Sequence, residues 1–110
     1  SSEATAWPTI ATLYDRLSEM QPTAVIELNR AVAYGYAYGP RTGLDMLAAT
    51  RAGGDLDGYL PATAAEAELT ARAGDPGRAA ELFLDAADLA RSEPERRALL
   101  RRAREVLETP

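Results

Sequence analysis

Apolar residues recur every three or four positions along most of this chain, and the rhythm breaks where proline, glycine and aspartate cluster, which is the pattern of short amphipathic helices. Ile10, Leu13, Tyr14, Leu17 and Met20 keep helical spacing until Gln21-Pro22 stops the run. Pro8 stands just ahead of them, where a first helical turn tolerates a missing amide, so the spacing predicts a helix over about 8–20. Pro22 opens a second helix to about Tyr38, with Val25, Leu28, Ala31, Val32 and Tyr36 as its apolar positions and Gly39-Pro40 as its end. Gly35 inside that run costs about 1 kcal/mol relative to alanine, so its presence predicts a close helix contact. A third helix is predicted from about Pro40 to Ala52, with Leu44, Met46 and Leu47.

The stretch "AGGDLDG", residues 52–58, is the one loop rich enough in Gly and Asp to read as a genuine break. A fourth helix follows from about Leu60 to Ala73. Gly74 then reads as a left-handed cap before Asp75-Pro76, an N-cap followed by a proline at the first helical position. The fifth helix extends to about Arg91, and Ala79, Leu82, Phe83, Ala86 and Leu89 form one stripe along it. Ser92-Glu93-Pro94-Glu95 starts the sixth, whose apolar side is Leu99, Leu100, Ala103, Val106 and Leu107. No segment has the alternation of a strand.

Short connections imply antiparallel neighbours, hence helical hairpins. Displaced on itself so that Ala31 falls on Ala67, the sequence also sets Gly43 on Ala79 and Leu47 on Phe83, small on small and large on large. That is the habit of tetratricopeptide repeats, helix-turn-helix units of ~34 residues with small side chains at the close helix crossing. Residues 74–90, "GDPGRAAELFLDAADLA", are similar to the turn and second helix of such a unit, whereas Glu66 and Thr70 stand where it carries large apolar residues. The expected fold is therefore all-α, with antiparallel hairpins stacked as a right-handed tetratricopeptide-like solenoid of about six helices. It is read as a single domain over 1–110, with helix pairs at about 22–52 and 60–91 and flanking helices at about 8–20 and 94–108.

Composition narrows the chemistry. Cysteine and histidine are both absent from the 110 residues, which removes thiolate and imidazole metal ligands and every Ser-His or Cys-His nucleophile pair. An enzyme is not expected, and neither is a cofactor or a metal. Asp55 and Asp57 with Gly54 and Gly58 resemble a fragment of a calcium loop, but the remaining ligands are missing. All twelve basic residues are arginines and the net charge is -5, a balance against direct DNA binding by this chain. No apolar run approaches the ~20 residues that span a bilayer, no signal peptide is evident, and a cysteine-free chain suits the cytoplasm. No membrane partner is expected, and composition does not fix the oligomeric state.

Several residues are candidates for binding. Glu27, Arg30 and Tyr34 lie at i, i+3 and i+7 and share a helix face, where an ion pair topped by a ring is the simple reading. Asn29 points elsewhere, beside Val25, Val32 and Tyr36, where a helix of this repeat class can face a concave groove. Tyr34, Tyr36 and Tyr38 alternate along one helix, so they cannot all be buried on the same side. The expected protein-binding residues are Asn29, Arg30, Val32 and Tyr36. Residues 95–105 concentrate five of the arginines, which reads as a solvated face beside Glu95, Glu105 and Glu108 or as a docking surface for an acidic partner.

"WPTIATLYDRL" (7–17), "PTAVIELNRAVA" (22–33), "YGPRTGLDML" (38–47) and residues 72–102 together resemble the C-terminal extension of a group of extracytoplasmic-function (ECF) sigma factors of RNA polymerase. Trp7-Pro8 and the run from Glu27 to Ala31 carry most of that resemblance, and Glu66 departs from it. The resemblance implies a cytoplasmic bacterial regulator whose extension contacts the sigma domains of the same polypeptide, RNA polymerase, or both, and modulates transcription initiation. A free-standing peptide-binding scaffold, or a small-ligand sensor using the tyrosine-lined groove, is the alternative.

Overall fold

The computed structural model of the chain describes residues 2–108. Six helices follow in order: α1 (Ser2–Met20), α2 (Ala24–Tyr38), α3 (Pro40–Arg51), α4 (Leu60–Arg72), α5 (Pro76–Asp88) and α6 (Glu93–Glu108). There is no strand among the described residues. The contacts divide the chain into two compact units, Ser1–Asp57 and Gly58–Pro110. In the first, α2 packs against both α1 and α3; in the second, α5 packs against both α4 and α6.

Local chemistry explains the boundaries and corrects three of them. Helix α1 starts six residues before Pro8, which lies inside it. Pro8 stands in the second turn, where it loses the amide bond to the carbonyl four residues back and crowds that carbonyl, a cost confined to the N-terminal end of the helix. Helix α2 begins after Thr23 rather than at Pro22, because the Thr23 hydroxyl accepts the Ile26 amide at 3.2 Å and caps the helix. Helix α5 ends at Asp88, short of Arg91. The Arg91 amide is drawn instead into the cap of α6, where it donates to Glu95 Oε1 at 3.1 Å while the Glu95 amide donates to Ser92 Oγ at 3.2 Å. Gly74 has φ +91°, and the Asp75 carboxylate accepts the Arg78 amide at 3.2 Å, as their order predicts.

In the first unit, Gly39 alone separates α2 from α3. Its φ of 113° with ψ of 146° belongs to a region open essentially to glycine, which lets the chain reverse within one residue. The two helices then meet at backbone distance. A Cβ added to Gly43 would lie 2.7 Å from the Gly35 Cα and 2.8 Å from the Ala31 carbonyl oxygen. That is the close contact which Gly35 implies in the sequence. Leu28, Leu47 and Leu56 are buried, the last inside the predicted loop 52–58. Helix α1 behaves otherwise than expected. Its inward residue is Ala11, whereas Leu13, Leu17 and Met20 are 55, 43 and 81% exposed.

The second unit closes around an aromatic side chain. Phe83 and Leu82 of α5 pack with Ala67 of α4 and with Ala103 and Val106 of α6, and Leu69 is also buried. Leu89 and Leu107, expected on the inner stripes of α5 and α6, are exposed, because α5 has ended before Leu89 and Leu107 lies beside the buried row through Ala103 and Val106. Arg102 lies over this core, with its guanidinium 5.7 Å from the Phe83 ring. It grips Glu68 of α4 with two bonds, Nε to Oε2 at 2.9 Å and Nη2 to Oε1 at 2.8 Å.

Candidate interaction surface on the second helix

Two sides of α2 are occupied by its neighbours. Leu28, Ala31 and Gly35 are buried, and Ala31 and Gly35 lie against Gly43 of α3. Toward α1, Asp15 collects two donors: Arg30 Nε at 2.7 Å and the Tyr34 hydroxyl, 2.8 Å from each carboxylate oxygen. Arg30 also approaches Glu27 Oε2 at 3.5 Å, and its guanidinium stands 5.1 Å from the Tyr34 ring centroid. The Ser18 hydroxyl donates to Glu27. The expected grouping of Glu27, Arg30 and Tyr34 therefore exists, but its centre is Asp15, fifteen residues away.

Charge follows that geometry. The hydrogen bond from Arg30, and then that from Tyr34, hold the Asp15 carboxyl below its ordinary range. The bond to Asp15 in turn pushes the Tyr34 hydroxyl up and raises the Arg30 guanidinium further. These three groups form a structural tie between α1 and α2, and Arg30 is turned into it.

Val25, Asn29, Val32 and Tyr36, at i, i+4, i+7 and i+11, form one stripe along α2, and α1 reaches its Tyr36 end through Trp7. Val25 is exposed; Asn29, Val32 and Tyr36 are partly buried. The Asn29 carboxamide has no hydrogen-bond partner among the described residues. Tyr36 carries the Trp7 ring, with centroids 4.6 Å apart and planes 20° from parallel. The structure thus brings together three of the four expected binding residues, Asn29, Val32 and Tyr36, and places Arg30 on a different face. Trp7 is partly buried in that stack. Tyr38 is the exposed member of the tyrosine series, and its ring meets Tyr34 at 5.3 Å.

Residues that sequence reasoning missed fall into two classes. Asp15 offers no local signal, because its partners lie on another helix. The exposed ridge of Leu13, Leu17 and Met20 has helical spacing, but spacing alone does not say which side of a helix is covered. Among the described residues no cluster of acidic side chains could hold a metal, and no helix is long and apolar enough to cross a membrane. Compared with protein-family models, curated proteins and solved structures, the chain matches none.

Proposed function

We propose that this chain is a regulatory protein-interaction module of a bacterial ECF sigma factor, which acts in the cytoplasm by docking onto the sigma domains of the same polypeptide or onto RNA polymerase. The observation that carries the docking part is the α2 stripe. An amide with unfilled hydrogen-bonding capacity at Asn29 sits between Val25, Val32 and the stacked Tyr36–Trp7 pair, a mixture of apolar area and a few polar groups typical of protein interfaces. Arg30 serves this surface indirectly, by fastening α2 to α1 through Asp15. The sigma-factor part rests on the sequence resemblance. The finer reading of the fold, hairpins of the tetratricopeptide type, is supported by the small residues Ala31, Gly35 and Gly43 at the α2–α3 contact and by the buried Ala67 and Ala79.

The test is Asn29→Ala combined with Tyr36→Ala in the protein that carries the sigma regions, with binding of polymerase core and of the separated sigma regions as the readouts. A hot spot of this kind loses ~1 to 2 kcal/mol or more on truncation, so affinity for one of the two partners should fall about tenfold. Thermal melting of the same variant checks that the fold survives. Undiminished binding to both partners by a folded variant removes the stripe from the mechanism.

A further inference from the structure

In the second unit the exposed charges are sorted by helix. The outward face of α5 is acidic: Glu81, Asp85 and Asp88 stand at i, i+4 and i+7, and Leu84, 48% exposed, lies at i+3. The outward face of α6 repeats the spacing with the opposite sign, with Arg97, Arg101 and Arg104 at i, i+4 and i+7 and Leu100 at i+3. Seven residues of helix span about 10.5 Å, so the two rows have equal length. Around Leu100 the three arginines line an open concavity of about 430 Å³.

Neither row is fully neutralised within its own chain. Glu81 has an exposed contact to Arg78 at 3.1 Å, and Arg97 has one to Glu93 at 3.7 Å, both within a single turn of helix. Asp85, Arg101 and Arg104 have no hydrogen-bonded or ion-paired partner among the described residues, and Asp88 interacts only with the charge of Arg96 near the start of α6. The rows cannot meet inside one unit, because α5 and α6 already face each other through Phe83, Ala103 and Val106.

We propose that the acidic row of α5 in one copy docks on the arginine row of α6 in a second copy, with Leu84 entering the concavity at Leu100. An acidic segment of another protein could satisfy the arginine row alone. A second copy offers each row its opposite and matches their leucines, and that complementarity in length, sign and apolar position favours it. Three ion pairs at exposed helices make an association that is weak and weakened further by salt. This contact lies in the second unit and is independent of docking through α2.

Sedimentation of the chain at low and high salt tests the proposal, with two charge-reversed variants. Glu81→Arg with Asp85→Arg and Asp88→Arg makes both rows basic; Arg97→Glu with Arg101→Glu and Arg104→Glu makes both acidic. Each alone should self-associate about a hundredfold more weakly than the parent, since like charges then oppose each other. An equimolar mixture should restore association, because every contact between the two variants again pairs opposite signs. Circular dichroism monitors folding, and the single reversals Asp85→Arg and Arg101→Glu provide the same mixing test where a triple variant fails to fold. A parent chain that stays monomeric up to millimolar concentration at low salt overturns the proposal, and one that also binds a polyglutamate probe assigns the arginine row to an acidic foreign partner. Self-association that is indifferent to the reversals, or folded variants whose mixture shows no rescue, overturns it as well.

Discussion

In the unit formed by α1 to α3 the tightest contact is made by backbone, with Gly43 against Gly35 and Ala31, and α1 is fastened by the polar tie of Asp15, Arg30 and Tyr34. In the unit formed by α4 to α6 the centre is Phe83, fully enclosed, with Leu82 and Val106 around it and the Arg102–Glu68 pair at its edge. The first unit has little room for added atoms at its centre; the second depends on the atoms it already has. A polar tie also leaves the apolar residues of its helix free, which fits the exposure of Leu13, Leu17 and Met20 on α1. Two stretches of similar length and helix number thus answer to opposite kinds of substitution.

The largest expected effect lies in the second unit. Phe83→Ala should cost ~3 to 5 kcal/mol, the range for emptying an aromatic site in a packed interior, read from the urea midpoint. A loss below ~1 kcal/mol would mean that Phe83 does not organise its unit. Next comes Gly43→Ala, whose new methyl group meets backbone atoms that cannot rotate away. Overpacking of about 3 kcal/mol, offset by about 1 from the better helix propensity of alanine, leaves a net loss of about 2. A stable Gly43→Ala protein would erase the contrast between the units.

Asp15→Asn should cost ~1 kcal/mol or less at neutral pH, since the pair with Arg30 is about one-third exposed and screened by solvent. Its pH dependence has a definite sign. The folded-state pKa of Asp15 is lowered from its ordinary 3.8, so the stabilisation is present above that value and disappears as pH falls through the lowered pKa. The parent and Asp15→Asn should therefore converge in stability in strong acid, a difference measurable by parallel denaturant titrations. The smallest effect is Gly77→Ala at the start of α5, where an added Cβ meets nothing within 4 Å. It should stabilise by ~0.5 to 1 kcal/mol, opposite in sign to the same change at Gly43.

Much of the chain's local structure could be read in advance. Gly39-Pro40 and Gly74-Asp75-Pro76 mark helix ends because glycine admits backbone angles closed to other residues and proline fixes its own, whatever surrounds them. Gly35 foretold a close approach because it carries no side chain to hold a neighbouring helix away. What could not be read depends on contacts distant in sequence. Arg30 has Glu27 as its obvious neighbour, yet its shorter contact is to Asp15; Arg102 has Glu105 nearby, yet it is held by Glu68. On α1 an apolar row and a small residue competed for the inward position, and the small one, Ala11, occupies it. Of the expected binding residues, Asn29, Val32 and Tyr36 share a stripe because helical period places them there, and the same period sets Arg30 on another face, where Asp15 holds it.

The Trp7–Tyr36 stack makes the protein its own spectroscopic probe. Trp7 is the only tryptophan in the chain, so its emission has a single origin, and that origin lies against a ring of the α2 stripe. A partner that covers or displaces Tyr36 must change the polarity, quenching or mobility around this indole. Binding to α2 can therefore be followed in solution without a label, and a ligand that leaves the emission untouched is engaging some other part of the molecule.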